Sequence, residues 1–278
     1  MYQWEQLLQG IQQGDIKKLS RCISLIENEA EGYENFLKEI PVSSTKIIGI
    51  TGPPGAGKST LADALIGEII AGNKKVAVLC VDPSSPFSKG AVLGDRIRMS
   101  EWYNNPNVFI RSLATRGSLG GLHPHIIEIT ETLQAAPFHH IIIETVGVGQ
   151  TEVEIAALAD TTVVVMVPES GDEVQTMKAG VLEVADIFVV NKADRPGADA
   201  FIKNLRQLMP HQESAVPVIK TIASQKAGVH ELYDAIQNHQ QQNSNEHHRL
   251  QLLAERAYHV IQQKKMKHIT KEELVNEL

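Results

Sequence analysis

The chain has 278 residues, 42% of them hydrophobic, and a formal net charge of −7. It can hold one large or two small domains with a substantial core, and its negative charge argues against a nucleic-acid surface. Apolar runs such as residues 163–167 are too short to cross a membrane, and the first residues lack a signal-peptide pattern. We therefore expect a cytoplasmic protein without nucleic-acid or membrane partners.

The first 40 residues have the periodicity of helices. Trp4, Leu7 and Ile11 are spaced by three and four, and Leu19 and Ile23 continue such a pattern. We expect a helical N-terminal extension over residues 1–40 that packs against another part of the chain. Cys22 in this segment and Cys80 further on are far apart in sequence, so both are interpreted as buried thiols.

From residue 46 onward, strand-like runs alternate with helical patterns. The runs are continuously apolar, which is typical of a parallel sheet covered on both faces. They cover residues 46–50, 76–81, 108–111, 140–144, 161–167, 187–191 and 216–221. The sequence thus predicts an α/β domain over residues 41–242, with its chemistry at the carboxyl ends of the strands.

A polar stretch, residues 240–245, is interpreted as a linker or a frayed helix end. Beyond it, Leu250, Leu253, Ala257 and Val260 have helical spacing. We expect residues 243–278 to form a C-terminal helical segment.

A phosphate-binding loop is predicted between the first strand and a helix over residues 61–70. Its glycines allow the backbone to curl so that N–H groups surround a phosphate, and the following helix contributes its positive dipole end. Lys58 can reach the β- and γ-phosphates, and the Ser59 hydroxyl can bind Mg²⁺. The loop consists of Gly52, Pro53, Pro54, Gly55, Ala56, Gly57, Lys58, Ser59 and Thr60.

A guanine-binding motif follows the predicted strand 187–191. The Asp194 carboxylate can accept both N–H groups of the guanine edge, whereas adenine would leave the acid unpaired. Asn191 would contact another polar edge of the base, and the stem of Lys192 would lie along the ring. The backbone N–H of Ala223 is a candidate for a further contact with the guanine carbonyl.

Three carboxylates at or after strand ends are candidate Mg²⁺-side ligands, because Ser59 alone cannot supply the required oxygen donors and charge. They are Asp82, Asp95 and Glu144. Glu144 is followed three residues later by Gly147, whose N–H could bond the γ-phosphate and whose loop could act as a switch.

Taken together, these motifs resemble the GTPase chaperones of adenosylcobalamin-dependent acyl-CoA mutases, the MeaB or ArgK family. The resemblance rests on residues 52–60, 81–87, 93–99, 111–117, 144–152, 168–173, 178–180 and 191–194. It implies a P-loop GTPase domain with a mostly parallel central sheet, flanked by helical N- and C-terminal extensions. It also implies that residues 82–99, 144–154 and 168–180 are switch segments.

The resemblance implies a GTP-hydrolysing chaperone that assists a methylmalonyl-CoA mutase type of enzyme in cofactor loading and protection. GTP or GDP and Mg²⁺ would be its cofactors, and Lys58, Glu144 and Gly147 its catalytic residues. Ser59, Asp82, Asp95 and Glu144 would be the Mg²⁺-side residues. The mutase would be its partner, and the C-terminal segment would support a homodimer.

Three alternatives compete with this interpretation. A nickel-insertion GTPase of the hydrogenase or urease type would need a Cys/His cluster, and the paired histidines at 123 and 125, 139 and 140, and 247 and 248 have no cysteine nearby. A partitioning ATPase would require a lysine near position 53, where Pro53 stands. A kinase for small basic substrates has no supporting feature in the sequence.

Overall fold

The computed structural model describes residues 2–82, 99–115, 122–145, 151–170, 184–209 and 216–242, with single positions at 254, 257, 258, 261 and 265. Two predicted site residues, Asp95 and Gly147, lie outside the described residues. The predicted C-terminal segment 243–278 also lies outside them, apart from those five single positions. No helix in the described ranges is both long and apolar enough to cross a membrane.

Seven parallel strands form one sheet in the described part of the chain. Their spatial order is β3-β2-β4-β1-β5-β6-β7. They are β1 (Lys46–Thr51), β2 (Val76–Asp82), β3 (Val108–Ala114), β4 (His140–Glu144), β5 (Thr161–Met166), β6 (Ile187–Val190) and β7 (Val218–Lys220). The predicted parallel sheet is confirmed, and the carboxyl ends of all seven strands point to one edge.

Eight α-helices accompany the sheet within the described residues. They are α1 (Trp4–Gln12), α2 (Ile16–Glu27), α3 (Tyr33–Lys38), α4 (Lys58–Ala71), α5 (Ile126–Gln134), α6 (Thr151–Leu158), α7 (Ala198–Leu208) and α8 (Val229–Gln242). The first forty residues are therefore helical, as predicted, but divided into three short helices. Residues 240–242, which the sequence assigned to a linker or a frayed end, are the last residues of α8, and Gln240 is buried.

Helices cover both faces of the sheet. On one face, α4 and α8 pack on alternate strand residues such as Ile48, Val78 and Val163. On the other face, α1, α2, α3 and α5 pack on the intervening residues, including Ile47 and Leu79. Helix α7 covers β5 and β6 on that second side. Because both faces are covered, the strands are buried throughout, which explains their continuous apolar runs.

The N-terminal helices are joined to the edge strand by polar contacts as well as apolar ones. Arg111 of β3 forms an ion pair with Glu27 of α2, and its guanidinium donates a 3.0 Å hydrogen bond to the Ser24 hydroxyl. Arg111 lies within a strand that continues to Ala114, so the predicted end of this strand at residue 111 is wrong. A polar residue is accommodated there because β3 is at the edge of the sheet and Arg111 reaches α2.

Both cysteines are free and buried, in agreement with the prediction. Burial raises the pKa of the Cys22 thiol to about 12. This thiol therefore stays protonated and behaves as a small apolar group in the contact between α2 and the sheet.

Candidate functional site

The loop between β1 and α4 has two positions that only glycine can occupy. Gly52 has φ +135°, and a Cβ there would stand 2.0 Å from the carbonyl oxygen of Val165 in β5. Gly57 has φ +88°, and its Cβ would stand 2.4 Å from Nδ2 of Asn191. The loop is therefore held between the ends of β5 and β6, with no room for a side chain at either position.

The middle of the loop is open. Gly55 has φ +75°, a Cβ added to it would have no neighbouring atom within 4 Å, and Pro54 beside it is exposed. The carbonyl of Pro53 accepts a 3.3 Å bond from the N–H of Ala56, which closes a tight turn. A backbone of this curvature can surround an anion with its N–H groups.

Helix α4 begins immediately after the loop, at Lys58 and Ser59. The first N–H groups of a helix carry partial positive charge, so this end of α4 favours an anion. The buried Lys58 ammonium donates hydrogen bonds of 2.9 and 3.0 Å to the carbonyls of Gly52 and Pro53. The lysine, the loop and the helix terminus thus concentrate positive charge at one point. Thr60, the last residue of the motif, lies half-buried in the first turn of α4.

Oxygen donors meet at the other side of the same helix terminus. The Ser59 hydroxyl donates a 2.6 Å hydrogen bond to Oε1 of Glu144, the last residue of β4. Asp82 ends the adjacent strand β2, where Cys80 is in register with Glu144. Ser59, Asp82 and Glu144 are each at most 6% exposed. A buried hydroxyl with two carboxylates is a donor set suited to a hard cation such as Mg²⁺.

Asn191 connects the phosphate loop with the loop after β7. Its amide donates a 2.9 Å hydrogen bond to the carbonyl of Ala56. Its side-chain oxygen accepts bonds of 3.1 Å from the Thr221 hydroxyl and 3.0 Å from the N–H of Ala223. The structure thus joins Asn191 to Ala223, and the N–H that the sequence assigned to the guanine carbonyl donates to Asn191 here.

The two remaining residues of the guanine motif lie at the surface. Lys192 has φ +55°, and its ammonium donates a 2.7 Å hydrogen bond to the carbonyl of Gly55. Its stem therefore bridges from the base motif to the open part of the phosphate loop. Asp194 is exposed, two residues further along the same turn. A planar ligand between this turn and the loop after β7 could contact both.

Sequence reasoning did not identify several contacts that shape the site. The Thr145 hydroxyl donates a 2.9 Å hydrogen bond to that of Thr51, and the Thr145 N–H bonds to the carbonyl of Ile50. Arg195 forms a 2.5 Å ion pair with Glu169, whose pKa is lowered by this hydrogen bond. These contacts join residues distant in sequence, so no local pattern could have indicated them.

A parallel sheet with a glycine-rich loop at the end of its first strand, followed by a helix with Lys and Ser at its start, defines a P-loop nucleotide-binding protein. The motif from Asn191 to Asp194 beside that loop is typical of the guanine-specific class.

Comparison with known families identifies the particular group. The family model described as "Methylmalonyl Co-A mutase-associated GTPase MeaB" matches residues 19–278. The chain belongs to this family and is a GTPase that binds GTP and GDP.

Relatives and solved structures agree. A protein of Pyrococcus abyssi that bears the name of a GTPase is 46% identical over 246 residues, covering 85% of this chain and 76% of that protein. A protein of Geobacillus kaustophilus named fused isobutyryl-CoA mutase is 36% identical over 237 residues, covering 78% of this chain and 22% of that protein.

Among solved structures, one described as LAO/AO transport system kinase has a TM-score of 0.70 at 26% identity, covering 100% of this chain and 87% of that one. The nickel complex of HypB from Helicobacter pylori has a TM-score of 0.53 at 16% identity, covering 79% and 95% of the two chains. The latter likeness shows the fold alone.

Proposed function

We propose that this GTPase is a nucleotide-gated chaperone of an adenosylcobalamin-dependent acyl-CoA mutase, acting in cofactor loading and protection. Two findings support the proposal: membership of a mutase-associated GTPase family, and a relative whose name is that of a fused isobutyryl-CoA mutase. The family membership is the main support for the proposal. The proposal further requires a site that senses the γ-phosphate and transmits its presence to a surface.

In this proposal, the nucleotide phosphates bind in the loop Gly52–Thr60. Lys58 exchanges its bonds to the loop carbonyls for bonds to phosphate oxygens, because its ammonium already lies over the loop. The guanine lies between Lys192 and the loop that carries Ala223, with Asp194 accepting from its N–H edge. Asn191 holds the two loops in register.

Mg²⁺ is assigned to the oxygen donors of Ser59, Asp82 and Glu144, which fit a hard cation in chemical type and burial. Asp95 remains a predicted further acid, since it lies outside the described residues. When bound, the cation would neutralise charge on the phosphates. The Ser59 hydroxyl donates directly to Glu144, so the serine and the acid lie within reach of a shared ligand.

The Ser59–Glu144 contact also suggests how the site signals. Glu144 ends β4, and the chain continues from it into residues 146–150, which contain Gly147. A change at the phosphate is therefore passed along the backbone that leaves β4. We assign Lys58 and Gly147 to the γ-phosphate and Glu144 to the metal side of hydrolysis. Basal turnover should be slow and should rise when the partner orders these segments.

Calorimetric titration of a purified cognate mutase against the GDP-loaded and the GTP-analogue-loaded protein tests the proposal. The two nucleotide states should bind the mutase with affinities that differ by about 5- to 150-fold, the usual range of allosteric coupling. The mutase should shift analogue affinity by the same factor. Equal affinities, with no effect on cobalamin transfer, would leave a GTPase with a different partner.

The alternative of nickel insertion finds less support. No group of three or more His, Cys, Asp or Glu residues in the described part of the chain is arranged to hold a metal ion. His140 contacts Tyr233, and His123 lies near Glu27 of α2, with no cysteine in either contact. The resemblance to HypB therefore concerns the shared fold.

Homodimer formation through residues 243–278 remains part of the proposal. Light scattering of the full chain, compared with a chain ending at residue 242, tests it. We expect twice the protomer mass for the full chain and a monomer for the shorter one.

A further inference from the structure

A cavity with mixed polar and apolar lining lies far along the chain from the nucleotide motifs, between α1 and α2. It has a volume of about 400 Å³ and opens to solvent. This volume is within the range of small-molecule sites. Its lining residues are Tyr2, Gln3, Gln6, Leu7, Lys17, Lys18 and Arg21. Six of the seven precede residue 19, where the match to the family model begins, so most of the cavity lies outside the segment that the family model matches.

The charge of the cavity is one-sided. Three of its lining residues are cations, and none is an acid. No carboxylate in the described part of the chain pairs with Lys17, Lys18 or Arg21. Asp15 is close in sequence, but its carboxylate caps α2 by accepting from the backbone N–H groups of Lys17 and Lys18. Even with the Asp15 carboxylate counted, the three cations leave an excess of positive charge along this part of α2, in a protein of net charge −7.

The Lys18 side chain packs against Gly10 of the opposite helix, α1. A Cβ on Gly10 of α1 would stand 2.1 Å from Cδ and 2.8 Å from Nζ of Lys18. The lysine stem therefore occupies the space that a side chain would fill at this buried helical position. Glycine is unfavourable inside a helix relative to alanine, so its presence here is explained by the close approach of Lys18.

The opposite wall and the rim match an organic anion. Gln3, the residue before α1, and Gln6 in the first turn of α1 both line the cavity, and their amides can donate to oxygen acceptors. Leu7 forms a buried apolar patch, and Tyr2 contributes an exposed ring at the edge. Lys17 and Arg21 are four residues apart, so their charges repel at close range until an anion lies between them.

We propose that this cavity binds a small molecule that carries a polyphosphate group, with Lys17, Lys18 and Arg21 contacting the phosphates and the two glutamines completing the shell. The site is separate from the GTP site and would give the N-terminal helices a ligand of their own. An organic polyphosphate would also use the apolar rim, whereas a free polyphosphate would not.

The test is a calorimetric titration of the full chain saturated with GDP, so that the loop Gly52–Thr60 is occupied. Tripolyphosphate and ATP are the two probes, at about 0.05 M salt, and binding should weaken as salt is raised. Saturable binding of either probe is expected. Tighter binding of ATP would identify an organic ligand, and equal binding an inorganic one.

Variant pairs connect the binding to the cavity. Lys17→Gln with Arg21→Gln should weaken probe binding by about tenfold, because two of the three cations that face the anion are removed. The control, Lys203→Gln with Arg206→Gln, removes the same charges from one turn of α7 and should leave binding unchanged. Gly10→Ala should fold normally and weaken binding by displacing Lys18.

Three outcomes would overturn the proposal. The first is no saturable binding of either probe to the GDP-loaded protein. The second is equal weakening in the α7 control, which would indicate a general effect of charge. The third is tighter binding of hexaglutamate than of both phosphate probes, which would identify the cavity as a docking site for an acidic chain.

Discussion

The side-chain amide of Asn191 donates a 2.9 Å hydrogen bond to the carbonyl of Ala56, a residue 135 positions earlier in the chain. This bond fixes the position of the predicted guanine motif relative to the phosphate loop, even though the two follow different strands. Gly57 is the neighbouring residue, and any side chain on it would meet the same amide.

Alanine substitutions at two loop glycines should therefore have unequal effects. Gly55→Ala should cost about 1–2 kcal/mol, because its positive φ is strained while the space around it is open. Gly57→Ala also displaces Asn191, so the Ala56 carbonyl, the Thr221 hydroxyl and the Ala223 N–H each lose a hydrogen bond. The loss in the free energy of unfolding should therefore be larger than in Gly55→Ala by at least about 1 kcal/mol. Urea unfolding measures the stability of the two variants, and GDP titration measures their nucleotide affinity. Equal losses in the two variants would show that the Asn191 contact is unimportant.

Asp194→Asn should change base preference. Replacing the carboxylate with an amide exchanges an acceptor for a donor at the guanine edge, so GTP affinity should fall by about 100-fold and xanthosine triphosphate should become the better ligand. Asp199→Asn, an exposed acid on the next helix, is the control and should leave preference unchanged. Competition binding with GTP, xanthosine triphosphate and ATP measures the base preference of each variant. Unaltered preference in Asp194→Asn would place base recognition elsewhere.

Glu144→Gln should weaken Mg²⁺ binding without destabilising the fold. The variant side chain keeps an acceptor for the Ser59 hydroxyl but removes a buried negative charge. We expect stability without Mg²⁺ to equal or exceed that of the unmodified protein, and the Mg²⁺-dependent increase in GTP affinity to fall by about tenfold or more. Glu128→Gln, a buried acid on α5, is the matched control. A normal Mg²⁺ response in Glu144→Gln would contradict the assignment.

His140 should make the fold sensitive to acid. Burial, followed by the charges of Lys74 and His139, lowers the pKa of His140 to about 4. Below pH 6.5 the unfolded chain gains a proton at this residue that the folded chain does not, so stability falls between pH 6.5 and 4. The loss is at most about 3 kcal/mol.

Urea unfolding at about pH 7 and about pH 4.5 measures this dependence. His140→Gln should reduce the difference between the two pH values, whatever its effect at neutral pH. An unchanged pH dependence in His140→Gln would show that other groups cause the acid sensitivity.

Much of the fold could be predicted because burial on both faces leaves a clear mark on the strands. The run at β4 was predicted at its observed bounds, His140–Glu144. The final strand is shorter than predicted and begins at Val218, after Pro217, which has no N–H to donate to a neighbouring strand. Edge strands are less apolar, so β3 was predicted to end before it does.

The site was predicted as separate motifs, and the contacts between them were not. Glycine, lysine and serine at fixed spacing indicate a phosphate loop because each residue type has a local reason. The bond from Asn191 to Ala56 and the close approach of Gly52 to Val165 depend on strand order, which the sequence does not contain. The same holds for the cavity between α1 and α2, which arises from how two amphipathic helices pack.

The three N-terminal helices have a consequence for how the G domain could be isolated. Their buried residues, including Ile11, Ile23 and Phe36, belong to the same apolar cluster as Leu79 and Ile141 of the sheet. A fragment starting at residue 41 would leave that side of the sheet in contact with water, and it should aggregate rather than fold. Residues 1–40, which the sequence predicted to be an extension, form one side of the hydrophobic core. The nucleotide site therefore cannot be moved into another protein without them.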